Sequence, residues 1–278
     1  MRIEDCIVAV ERRTGGGCLD LAIVFTQQFI GPIFRLFVTF AVPSCAITWW
    51  LTSGGTDMLL VAVPVFLFFS SLMSAALIAT VGPQVFGVPL STRNGLTAIR
   101  KRFFSFVIFT VLVRIAQGAL ASCLILPAIF PTAMLGHLYE VLFLERTPAK
   151  EVSRRLSNLG KGGGYSRNLS RLVGLLCFWA ICSVGLFIFI NQLAGWIFNV
   201  EIFQGSMIAG EDSFDAFAAS IVDDQAVILL LQVAVWIPYP VVRLAWFFCY
   251  LDQRIRNECW DLDLQFRVEA ARMEEQPA

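Results

Sequence analysis

The chain has 278 residues, of which 57% are hydrophobic and 15% charged, against roughly 45–50% and about 25% in an ordinary soluble domain. Twenty-one basic residues balance 21 acidic ones, so net charge gives no support to a nucleic-acid partner. With 25 phenylalanines and several apolar runs near the roughly 18 residues that cross a bilayer, the sequence predicts an all-α integral membrane helical bundle.

The first 32 residues read as a cytoplasmic N-terminal segment. Charges flank Thr14-Gly15-Gly16-Gly17, and the order of basic, apolar and small residues that marks a cleaved secretory signal is missing. Six apolar stretches follow, predicted as six transmembrane helices within a domain spanning 33–251: Ile33–Ser53, Met58–Gly82, Phe103–Leu126, Ala128–Leu144, Leu172–Phe198 and Gln225–Leu251. The fourth contains Pro131, Gly136, His137 and Glu140, yet it is needed to keep the flanking charges on compatible sides. Residues 252–278 read as a cytoplasmic amphipathic tail.

Of the 21 basic residues, 18 lie in the N-terminal segment, the second and fourth loops and the tail. The other three, Arg35, Arg114 and Arg243, fall inside the apolar stretches. The alternate connections, Gly54–Asp57, the turn at Pro127 and Asn199–Asp224, have none. The positive-inside bias then places the basic loops and both termini in the cytoplasm. Trp49, Trp50 and Trp196 sit near outer helix ends, where an indole favours the headgroup region. The outer loop Asn199–Asp224 is acidic but lacks the D-x-D-x-D-G spacing of a calcium loop. Phe214 and Phe217 within it predict a short helix resting on the outer surface.

A charge in hydrocarbon costs a few kcal/mol or more and demands a partner. Arg114 lies near the middle of the third stretch, and the antiparallel fourth brings His137 and Glu140, at i and i+3, to one face. An Arg114–Glu140 pair is expected, with His137 beside it and Arg243, at similar depth, joining or competing. This cluster reads as an interhelical clamp before it reads as a polar path, because its few groups do not make a relay across a bilayer. His137 is the sole histidine, which argues against a multi-histidine metal site or a serine-histidine hydrolase. The eight cysteines form no C-x-x-C pair and read as reduced packing residues. No metal or cofactor is implied. Gly15-Gly16-Gly17 and Lys161-Gly162-Gly163-Gly164 do not fit a phosphate-binding loop and read as flexible joints. Pro43, Pro64, Pro131, Pro238 and Pro240 permit kinks.

Two segments on the cytoplasmic side carry amphipathic patterns. From Thr147 to Gly160, threonine is placed to cap, proline to open and glycine to stop a short helix. Val152, Leu156 and Leu159 form its apolar stripe, and Arg154 and Arg155, off that stripe, are expected at the anionic inner surface. In the tail, Ile255, Cys259, Leu262 and Phe266 follow helical spacing, while Asp261-Leu262-Asp263-Leu264 alternates like a strand. Arg254, Arg256 and Trp260 are its candidate membrane or partner contacts.

The run Glu140-Val141-Leu142-Phe143-Leu144-Glu145-Arg146, followed by Arg154-Arg155 and Lys161-Gly162, resembles the central loop of bacterial multi-pass membrane proteins of the glycerophosphoryl diester phosphodiesterase membrane-domain-like family. Tyr250-Leu251-Asp252-Gln253-Arg254-Ile255-Arg256-Asn257-Glu258-Cys259-Trp260-Asp261-Leu262-Asp263-Leu264 is similar to their closing motif, with Cys259 where a glycine is usual and Gln253 where an aliphatic residue is usual. The resemblance implies a bacterial inner-membrane module without a catalytic domain, since the loops are too short for a soluble barrel. The expected function is a non-enzymatic scaffold or accessory subunit, contacting the lipid bilayer and a membrane or cytoplasmic protein. The alternative is a small-solute or lipid transporter using Arg114, His137, Glu140 and Arg243.

Overall fold

The computed structural model describes residues 12–53, 58–85, 92–123, 125–161, 163–199 and 224–258. These residues are all-helical, with no strand among them. The order is α1 Gly15–Gln28, α2 Ile30–Thr52, α3 Met58–Val85, α4 Thr92–Lys101, α5 Phe103–Cys123, α6 Ile125–Leu135, α7 Leu138–Phe143, a 3-10 turn Ala149–Glu151, α8 Val152–Leu159, α9 Gly164–Phe198, α10 Gln225–Trp236 and α11 Tyr239–Glu258.

Four stretches are long and apolar enough to cross a membrane: Ile30–Thr52, Leu60–Val85, Gly164–Phe198 and Gln225–Asn257. The predicted third and fourth spans correspond to shorter apolar helices, Phe103–Gly118 and Ile129–Phe143. Only 17% of the most apolar window of α9 is buried, and α5 turns Phe104, Ile108, Leu112 and Ile115 outward. Trp49, Trp50 and Trp196 are likewise exposed, Trp196 at 90%.

Several boundaries differ from the sequence reading. The glycines at 15–17 open α1, with the Gly17 N–H donating to the Thr14 hydroxyl at 3.1 Å; a threonine cap outweighs the helix-weakening effect of glycine there. The predicted fourth span is interrupted at Gly136-His137. Helix α9 begins eight residues before Leu172, at Gly164, because Asn168 and Arg171 find partners that a hydropathy window ignores. At the other end, α11 runs past Leu251 to Glu258, so the start of the tail is helix. Cys259, Trp260 and the alternating 261–264 stretch lie outside the described residues, as does most of the acidic loop with Phe214 and Phe217. The expected threonine cap at Thr147 is not used. Pro148 precedes the 3-10 turn without a side-chain cap, and the Thr147 carbonyl instead accepts from Arg102 at 3.1 Å.

The chain divides into two compact units, one of Met1–Ile33, Ser74–Leu175 and Val241–Ala278, the other of Phe34–Met73 and Leu176–Pro240. The second is aromatic. Trp236 lies edge-on to Phe37, Phe66 and Tyr239, and Phe66 stacks on Trp179 with ring centroids 6.0 Å apart. Each polar handle is absorbed: Trp179 Nε1 donates to the Val235 carbonyl, Tyr239 Oη to the Ser70 carbonyl, and Gln232 Nε2 to Ser44 Oγ. Phe187, Val227, Leu230 and Ala234 form an adjoining apolar core. The first unit is held differently, by a polar set converging on α11.

Candidate functional site

Helix α11 presents two polar faces. Arg243, Trp246, Tyr250, Gln253 and Asn257 recur at spacings of three and four, which places them on one side of a helix. That side meets the segment from Gly136 to Leu159. Arg243 Nη2 donates to Glu140 Oε1 at 2.7 Å, and both side chains are buried. The Arg243 guanidinium also sits 5.4 Å from the centre of the Tyr139 ring, within cation–π range. Trp246 Nε1 donates to the Gly136 carbonyl at 2.9 Å. Position 136 admits no side chain here, because a Cβ would lie 2.5 Å from the Thr132 carbonyl and 2.8 Å from the Trp246 ring.

The expected Arg114–Glu140 pair does not form. His137 and Glu140 do share a face, as expected, and it is turned to α11: His137 stacks flat on Trp246, centroids 4.5 Å apart, and Glu140 meets Arg243. Arg114 Nη1 donates to Gln117 Oε1 at 3.0 Å, and Gln117 in turn to Thr132 Oγ1 at 2.7 Å. The sequence reading puts Arg114 and Arg243 at similar depth, and of the two it is Arg243 whose helix faces Glu140.

Lower on the same face, Glu145 collects three partners. Arg155 engages it bidentately, Nε to Oε2 at 2.6 Å and Nη2 to Oε1 at 2.8 Å; Tyr250 Oη donates to Oε1, and Arg254 Nε lies 3.7 Å away. Arg102 holds the same bend through the carbonyls of Leu142, Arg146 and Thr147. Arg155 was expected to face lipid, but a fork-shaped guanidinium meets a carboxylate better than it meets diffuse surface charge. Arg154 alone of the two is exposed, its side chain at 76%, with Glu151 3.8 Å away. Val152, Leu156 and Leu159 are buried against protein.

Burial raises the Glu145 carboxyl, but hydrogen bonds from Arg155 and Tyr250 and the charges of Arg155 and Arg254 outweigh it, so the group lies below the ordinary glutamate value of 4.5. A depressed carboxylate contributes stability that is fully present above its unfolded value and lost as pH falls through the folded one. The melting temperature of detergent-purified protein should therefore exceed that of Glu145→Gln at neutral pH. The gap should close as pH falls below 4.5; a gap independent of pH would show that the ionised form is not what holds the bend.

The opposite face of α11 carries Asp252. Its Oδ1 accepts from the Arg13 N–H at 2.6 Å, and Oδ2 accepts from Arg171 Nη2 at 2.5 Å and Arg256 Nε at 2.8 Å. Both arginines also donate to the Arg13 carbonyl, at 3.0 and 3.1 Å. Arg254 and Arg256, expected as membrane or partner contacts, are thus turned inward onto Glu145 and Asp252. Trp260 lies outside the described residues. Gln253 extends the first face, donating to the Leu159 carbonyl while accepting from Asn168 Nδ2 at 2.9 Å. Asn257 Nδ2 donates to the same carbonyl at 3.0 Å.

Sequence reasoning had not singled out Asp252, Glu145, Arg171, Asn168, Gln253 or Tyr250 as site residues. Four of them stand in the two stretches that carry the family resemblance. Among the described residues no group of three or more His, Cys, Asp or Glu is arranged to hold a metal ion, and Cys18, Cys45, Cys177, Cys182 and Cys249 are free. Comparison with family models, curated proteins and solved structures finds no match for this chain.

Proposed function

We propose that the chain is a non-enzymatic inner-membrane protein of six spans, with its basic connections and both ends in the cytoplasm, serving as a scaffold or accessory subunit of a membrane complex. The observation that supports it best is the closure of the ionisable groups around α11 onto one another. Glu140 is matched by Arg243, Glu145 by Arg155 and Arg254, and Asp252 by Arg171 and Arg256. Groups spent in mutual neutralisation hold segments together; they do not leave a nucleophile and base poised for reaction. Arg102, Arg155, Arg171 and Arg256 all belong to the segments that the positive-inside bias assigns to the cytoplasm. The result is a braced cytoplasmic cap from which Arg154 projects.

The transport alternative has less support, since Arg114 is bonded apart from Glu140 and Arg243, and those two cancel each other. The proposal is tested by affinity purification from native membranes in mild detergent. The full chain is compared with a version ending at Glu258, which spares the Asp252 and Gln253 contacts, and with Arg154→Glu. A protein partner recovered with the full chain and lost with one of these versions, both still inserted, is the expected result. Recovery of no partner by the full chain would overturn the proposal.

A further inference from the structure

Within the first unit, helix α1 is held against α11 near both of its ends. Just before its start, the Arg13 N–H donates to Asp252 and the Arg13 carbonyl accepts from Arg171 and Arg256. Gly15 then comes so near Arg171 that a Cβ there would lie 3.3 Å from its Cγ. Toward the far end Phe25 lies edge-on to Phe248, ring centroids 5.8 Å apart. Cys18, Ala22 and Phe25 recur at i, i+4 and i+7 and are the buried stripe of α1. That stripe brings Cys18 to Cys249, and the two thiols hydrogen-bond to each other, Cys249 donating.

Two sulfurs in mutual contact are the arrangement from which a disulfide forms once one of them is oxidised. The roles of the two follow from their surroundings. The hydrogen bond from Cys249, then the charges of Arg171 and Arg13, hold the Cys18 thiol below the ordinary cysteine value of 9.0, against burial and the charge of Asp252. Thiolate, not thiol, is the nucleophile, so Cys18 is the attacking sulfur and Cys249 the resolving one. Both side chains are 0% exposed. An oxidant that reaches them while α1 stays in place must be small and uncharged, and hydrogen peroxide meets both conditions.

We infer that Cys18 and Cys249 are a peroxide-reactive thiol pair whose oxidation to a disulfide fastens the N-terminal helix α1 to α11. The inference goes beyond the scaffold reading and does not depend on it. The Cys18 sulfur attacks one peroxide oxygen; an S–O bond forms, the O–O bond breaks, and the departing hydroxide leaves as water with the Cys18 proton. The Cys249 sulfur then attacks the Cys18 sulfur. The S–S bond forms, the S–O bond breaks, and the second hydroxide leaves as water with the Cys249 proton. The two thiols together lose two electrons and the peroxide is reduced to two waters. A dithiol reductant reverses the change by exchange. In the reduced chain α1 is held by the reversible tie of Arg13 to Asp252 and by packing; in the oxidised chain it is held covalently.

The full chain in phosphatidylcholine nanodiscs is treated with hydrogen peroxide at increasing concentration, alkylated, digested without reduction and mapped by mass spectrometry. A linked peptide pair holding Cys18 and Cys249 is the expected first product, formed at about tenfold lower peroxide than oxidation of Cys45, Cys177 or Cys182 and lost on adding dithiothreitol. Cys249→Ser should stop at the Cys18 sulfenic acid, captured by dimedone, and Cys18→Ser should leave Cys249 unreacted at the same concentration. Amide hydrogen exchange over Gly15–Gln28 should slow about tenfold or more in the oxidised chain. Linkage that appears only after denaturation, or after the other cysteines have reacted, would overturn the pair. Linkage that leaves the exchange of α1 unchanged would overturn the fastening. Linkage and exchange are both read on the unaltered chain, so a serine variant that fails to fold does not remove the test.

Discussion

Arg243→Met should destabilise the protein by about 3–5 kcal/mol, the cost of leaving a buried carboxylate without its partner. Glu140 is 0% exposed, and its only described hydrogen-bond donor from a side chain is Arg243. Its Oε2 and the Arg243 Nε have no partner of their own among the described residues, so the pair is already incompletely satisfied and no neighbour stands ready to replace the missing guanidinium. The change Glu140→Leu in the Arg243→Met background removes the stranded charge together with its partner and should recover most of the loss, because an apolar pair of similar volume avoids both desolvation costs. Thermal unfolding in detergent, followed by the loss of monodisperse protein, measures the cycle. A double variant no more stable than the single one would mean that the pair contributes through shape and not through charge.

That pair also shows what the sequence made legible and what it did not. Its members were visible as ionisable groups in apolar stretches, and the helical class and the approximate places of the apolar helices followed from composition and run length. The pairing did not follow, because run length carries no information about which side of a helix a residue occupies relative to a neighbour. Gly136 was the missing signal. Its lack of a side chain lets Trp246 of α11 approach at the point where α6 ends, and with α11 there His137 and Glu140 face Trp246 and Arg243. The basic residues misled for a related reason. Arg155 and Arg254 looked like surface charge because nothing in their local spacing announced Glu145, ten residues back along the chain from Arg155; Arg256 had Asp252 four residues back on its own helix, but no local signal for the second arginine and the backbone N–H that share that carboxylate. Asn168 and Gln253, polar groups at the edges of apolar runs, tie the start of α9 to α11, and hydropathy averages them away.

Asp252→Ala should cost a similar amount, about 3–5 kcal/mol, and should in addition release the chain around Arg13. Two guanidiniums and a backbone N–H converge on this one carboxylate: the Arg171 side chain is almost wholly buried, and the N–H belongs to a residue 239 positions away in sequence. Without the carboxylate, Arg171 keeps only carbonyl acceptors at Arg13 and Cys249, which cannot neutralise it in a water-poor setting. Arg256, by contrast, is partly exposed and four residues along the same helix, so Arg256→Gln should cost about 1 kcal/mol or less. The two changes are also separable by limited trypsin digestion, since cleavage after Arg12 or Arg13 requires that segment to leave its place against α11. Rapid cleavage there in Asp252→Ala and slow cleavage in Arg256→Gln would show that the carboxylate is the tie. Equal rates in both would move the tie to the carbonyl contacts of Arg13, and the braced cap would then rest on the backbone of the N-terminal segment, not on the charge at its centre.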